Sequence, residues 1–75
     1  MIANFKFKTA DDVLKLVELA ETLPFEVYVE QGHIYVNAKS LMALYTLVDH
    51  NLTLIAPDNA DPEVFANFLK QLKKA

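Results

Sequence analysis

Apolar and polar side chains alternate from the start of the chain: Ala3, Phe5 and Phe7 stand against Asn4, Lys6 and Lys8. A period of two predicts a strand with one buried face. At Thr9 the period changes. Thr9 can cap a helix, Asp12 stands three residues later, and Asp11 and Asp12 put negative charge into the first turn. Val13, Leu16, Val17 and Ala20 follow at helical spacing, with Asp11, Lys15, Glu18 and Thr22 on the opposite face, and Pro24 stops the helix.

The period of two returns at Phe25, Val27 and Val29, which alternate with Glu26, Tyr28 and Glu30. Gln31-Gly32 reads as a tight turn, and Ile34 and Val36 carry a third strand back. A second helix is predicted from Ser40 to about Val48, with Leu44 and Leu47 facing the core. Asp49-His50-Asn51 reads as a loop, Leu52-Thr53-Leu54-Ile55 as a fourth strand, and Pro57–Asp61 as another loop. Asp61 followed by Pro62 is a good helix start, and Val64, Phe65, Phe68, Leu69 and Leu72 form the stripe of the last helix. The order is therefore βαββαβα. Each strand has one apolar face and each long helix one apolar stripe. One four-stranded sheet with three helices on one side and the other side open buries them all, an α+β fold. The order of strands within the sheet does not follow from this pattern.

Seventy-five residues make one domain, 1–75, without room for a second core. There is no cysteine, so disulfides and thiolate zinc sites are excluded. The N-terminal residues alternate rather than forming the apolar block of a signal peptide, and the longest apolar stretch, around Leu41 to Val48, is too short to cross a bilayer. A cytoplasmic protein with no membrane partner is the expectation. The net charge of −3 and the absence of arginine argue against nucleic acid. Lys70, Lys73 and Lys74 form the densest basic cluster, and lysines there suit the negative end of a helix. No group of residues has metal-ligand spacing, and no cofactor is implied.

The segment with most chemical content is Val36-Asn37-Ala38-Lys39-Ser40-Leu41-Met42, which leads from the hairpin into the second helix. Ser40 stands at the N-cap position, where its hydroxyl can accept a hydrogen bond from a free N–H of the first turn. This segment resembles the Val-Asn-Ala-Lys-Ser-Ile-Met run of HPr, the histidine-containing phosphocarrier family of the bacterial sugar phosphotransferase system. The likeness runs without gaps from about Asp12 to Met42 and more loosely through the last helix. It implies the HPr-like open-faced β-sandwich, a regulatory phosphorylation site at Ser40, and an apolar docking patch at Leu41, Met42 and Tyr45. Leu14 extends that patch by helical spacing.

The same likeness exposes a departure. The family has Gly-Leu-His-Ala-Arg-Pro between the first strand and the first helix. Alignment places Thr9 at the position of the histidine, Asp11 at that of the arginine and Asp12 at that of the proline, and the glycine is gone. Phosphoryl relay needs an imidazole nucleophile and nearby positive charge. Here a threonine and two carboxylates stand instead. His33, after the turn, and His50, beyond the second helix, have no adjacent arginine or glycine-rich loop. The reading is a non-catalytic, HPr-like regulatory or protein-binding module. Its partners would be proteins of the phosphotransferase system or of catabolite regulation, with phosphorylation at Ser40 as a gate. The alternative is a phosphocarrier with an atypical acceptor. Tyr28 and Tyr35 point to the open side of the sheet, either as a cross-strand pair or as a self-association surface.

Overall fold

The computed structural model describes residues 1–74. Its elements are β1 (Ile2–Lys6), α1 (Ala10–Glu21), β2 (Tyr28–Gln31), β3 (Ile34–Asn37), α2 (Leu41–Tyr45), β4 (Asn51–Ile55) and α3 (Pro62–Lys73). The strands form one antiparallel sheet in the order β1-β4-β2-β3. One row of aligned residues is Ala3, Leu54, Val29 and Val36, and this row faces the helices. The next row, Asn4, Thr53, Glu30 and Tyr35, faces the open side. The alternation read from the sequence therefore sorts the two faces correctly, and the fold is the predicted HPr-like open-faced α+β sandwich.

The core lies between sheet and helices. Phe7, Val13, Leu16, Val27, Val29, Leu44, Leu47 and Leu54 are fully enclosed, and Phe65, Phe68 and Leu72 close it from α3. Among the described residues no polar side chain is buried. Asp61 accepts a hydrogen bond from the N–H of Glu63 at 2.9 Å, with Pro62 in the first turn, so α3 starts as its sequence signal predicts.

Several boundaries differ from the sequence reading, each for a local reason. β2 begins at Tyr28 rather than Phe25, because its partners end at Ile55 on one side and Asn37 on the other. Only the bond from Ala38 N–H to the Val27 carbonyl extends the pairing. The hairpin turn is Gly32-His33 rather than Gln31-Gly32, since Gln31 pairs with Ile34. Gly32 has φ +59°, and His33 is not left-handed, as a two-residue II′ turn requires. Asn51 belongs to β4, opposite Lys6, and not to the loop before it. The second helix ends at Tyr45 rather than near Val48. There the Thr46 hydroxyl takes the Ala43 carbonyl at 2.6 Å, and Leu47 and His50 bond back three residues to Leu44 and Leu47. Those tighter turns replace the α-helix but keep Leu47 buried.

Candidate functional site

The chain between β1 and α1 is the place where the family likeness puts the reactive residue. Thr9 is the exposed N-cap of α1, with extended backbone at φ −140° and ψ 168°. The Asp12 carboxylate turns back to accept from the N–H of Lys8 at 2.7 Å and of Thr9 at 3.2 Å. Asp12 is thus committed to the helix start, as the capping reading predicts. The loop before β4 packs against the same segment, through the Asp49 N–H donated to the Phe7 carbonyl at 2.9 Å. Asp49 has φ +71°, a left-handed conformation in which asparagine and aspartate are enriched. His50 follows it directly and is exposed. His33 lies in the β2–β3 turn, also exposed.

The electrostatics here differ from the expectation of paired carboxylates alone. A cleft of about 520 Å³ is lined by Lys6 and Lys8 from the β1 end of the chain and by Lys73 and Lys74 from the end of α3, together with Asn4 and Asp12. The Lys15 ammonium donates to the Lys74 carbonyl, which ties α1 to the end of α3. In sequence Lys73 and Lys74 read as partners of their own helix dipole. In space they face lysines from the other end of the chain. No sequence signal of local kind could have found this, because the two groups are more than sixty residues apart.

Ser40 lies at the N-cap position of α2, exposed, with its carbonyl accepting from Leu44 N–H at 3.0 Å. Its hydroxyl makes no capping bond, which corrects the expectation that it would. The backbone at Ser40 has φ −87° and ψ 81°, outside the extended geometry that usual N-caps adopt. Asn37 organises the turn instead. Its Oδ1 accepts from Lys39 N–H at 2.9 Å, its carbonyl accepts from Ser40 N–H at 2.9 Å, and its Nδ2 donates to Glu26 at 2.9 Å. Lys39 adds an ion pair to Glu26 at 3.5 Å. The Asn37 bond, then the Lys39 charge, hold the Glu26 carboxyl below its ordinary range.

The predicted apolar surface is carried by α1 and α2, which pack against one another. Met42 is 82 % exposed, Leu14 40 % and Tyr45 38 %, while Leu41 is half-buried against the core. Leu44, on the other side of α2, is fully buried. On the open face of the sheet Tyr28 and Tyr35 stack, with ring centroids 5.0 Å apart and planes 8° from parallel. They form a diagonal cross-strand pair, one of the two arrangements the sequence allows. Among the described residues no group of histidine and acidic side chains is placed to hold a metal. No helix among them is long and apolar enough to cross a membrane.

Neither a family model nor a curated protein sequence matches this chain. Among solved structures it is similar to the crystal structure of HPr-C-His from Thermoanaerobacter tengcongensis. The two are 21% identical, with a TM-score of 0.75 over 100% of this chain and 98% of that one. At that identity the likeness speaks to the fold, and it agrees with the layout found here.

Proposed function

We propose that this chain is a non-catalytic, HPr-like protein-binding module related to the sugar phosphotransferase system, which docks through Leu14, Leu41, Met42 and Tyr45. The observation that carries the reading is Met42. It stands almost fully in solvent on a five-residue helix whose opposite side, at Leu44, is fully buried. A flexible thioether flanked by a tyrosine and leucines suits an adaptable protein contact. Ser40 borders this surface with a hydroxyl that no capping bond engages. A phosphate there would add negative charge and acceptor oxygens beside the apolar contact, and so gate docking. Thr9 and Asp11 in place of the family's histidine and arginine support a role without phosphoryl relay.

The test uses purified enzyme I and HPr kinase as probes. Met42→Asp is expected to abolish the binding that the unmodified chain shows. Its unfolding free energy should stay within about 0.5 kcal/mol, as for an ordinary surface change. HPr kinase with ATP should add one phosphoryl group, mapped to Ser40 and lost in Ser40→Ala. A large stability loss in Met42→Asp would make the residue part of the core and end the docking reading.

A second reading, a phosphocarrier with an atypical acceptor, is favoured by one contact. The Asp49–Phe7 hydrogen bond sets His50 beside the segment that precedes Thr9. In that case enzyme I with phosphoenolpyruvate would leave an acid-labile phosphoryl group on the chain, absent from His50→Ala. Its appearance would replace the first reading.

A further inference from the structure

Among the described residues the lysine-lined cleft is also an unpaired strand edge, and its hydrogen bonds fix its phase. Met1 and Ala56 exchange both hydrogen bonds, the Met1 nitrogen to the Ala56 carbonyl at 2.9 Å and Ala56 N–H to the Met1 carbonyl at 2.8 Å. Hydrogen-bonded and non-hydrogen-bonded pairs alternate along an antiparallel ladder. Ala3–Leu54 and Phe5–Leu52 are therefore bonded pairs, whereas Ile2, Asn4 and Lys6 turn their N–H and C=O groups away from β4. Since β1 is the end strand of the sheet, those groups face the free edge. Asn4 and Lys6 also line the cleft, with Lys8, Lys73 and Lys74 around them.

We propose that this cleft is a docking site for an acidic, extended segment of a protein partner, added as a fifth strand along β1. The free edge supplies main-chain hydrogen bonds, and the lysines supply selection for carboxylates. Edge lysines commonly serve to block unwanted strand pairing. Here that same charge repels the β1 edge of a second copy while attracting an acidic chain. A long polyanion fits less well. The whole molecule carries ten carboxylates against seven lysines, so a nucleic acid leaving the cleft would run onto acidic surface. Asp12 offsets one of the four lysine charges and leaves the cleft net positive, with its carboxylate turned to the backbone N–H groups of Lys8 and Thr9. The surface is separate from the Met42 patch, so the two readings can fail independently.

The experiment titrates the ¹⁵N-labelled chain, at low salt, with an end-capped peptide of alternating Glu and Thr. Its Gln-for-Glu counterpart and inorganic polyphosphate are run in parallel. The acidic peptide should shift the amides of Asn4 and Lys6 and slow their hydrogen exchange. Lys6→Gln combined with Lys73→Gln, both exposed, should weaken binding by about tenfold, as loss of two surface charge contacts allows. Lys39→Gln, away from the cleft, and Met42→Asp should leave it unchanged. Equal binding of the Gln peptide, or shifts on β3 instead of β1, would overturn the proposal. Polyphosphate binding without peptide binding would overturn it as well, leaving a simple anion site.

Discussion

Glu26 is the residue whose environment makes the sharpest claim about solution behaviour. It holds Asn37 by a hydrogen bond and Lys39 by charge, and these two residues shape the turn into Ser40. Its carboxyl lies below the ordinary value of 4.5, chiefly through Asn37 and then through Lys39. A group with a depressed folded pKa adds stability that is present above its unfolded value and is lost as pH falls through the folded value. The turn should therefore loosen only below the ordinary carboxylate range, a change seen by following the Glu26 carboxyl and the Lys39 amide together by NMR. Asn37→Ala and Lys39→Ala should each move the Glu26 titration upward. No movement in Asn37→Ala would mean that charge rather than the amide bond governs this carboxyl. The sequence showed Asn37 only as part of a motif. Its bond to a residue eleven positions earlier depends on the β2–β3 register, which a reading along the chain does not contain.

Among the elements, the long helices were legible because their signals are local. Thr9 with Asp12, and Asp61 with Pro62, stand where their helices start. Asp61→Ala should cost about 1 kcal/mol of unfolding free energy, a typical loss for an N-cap side chain. Urea unfolding would show it as a lower midpoint with an unchanged slope. Asp12→Ala should cost a similar amount, since its carboxylate serves two backbone N–H groups. The second helix is shorter than its apolar spacing suggests, for an equally physical reason. Leu44 and Leu47 are both buried, so their spacing suits a helix that continues. Spacing alone cannot distinguish a 4-residue bond from the 3-residue turns that carry the chain past Thr46. β2 is shorter than its alternation suggests, because Phe25 and Val27 keep the alternating pattern beyond the last partner residue. Alternation reports which way side chains point, and only pairing makes a strand.

At the scale of the molecule, the missing information was the order of the strands. β1 pairs with β4 across roughly fifty residues, and α3 ends beside the far edge of β1. These two placements gather the lysines and bring Asp49 onto Phe7, so the character of the candidate site was not readable before the fold. Phe7 is the residue on which they converge. It lies just past β1 and is fully buried; it contacts Phe5 edge-on with centroids 5.6 Å apart, and its carbonyl receives Asp49. Truncating a buried phenylalanine to alanine costs about 3–5 kcal/mol through lost transfer energy and the cavity left behind. A domain of this length has on the order of 4–11 kcal/mol in total. With no disulfide to compensate, Phe7→Ala should remove at least about a quarter of that stability and lower the urea midpoint in proportion, whereas Tyr35→Ala on the open face should cost under about 1 kcal/mol. Equal losses from the two would mean that the sheet's open face, and not the layer beneath the helices, holds the fold together.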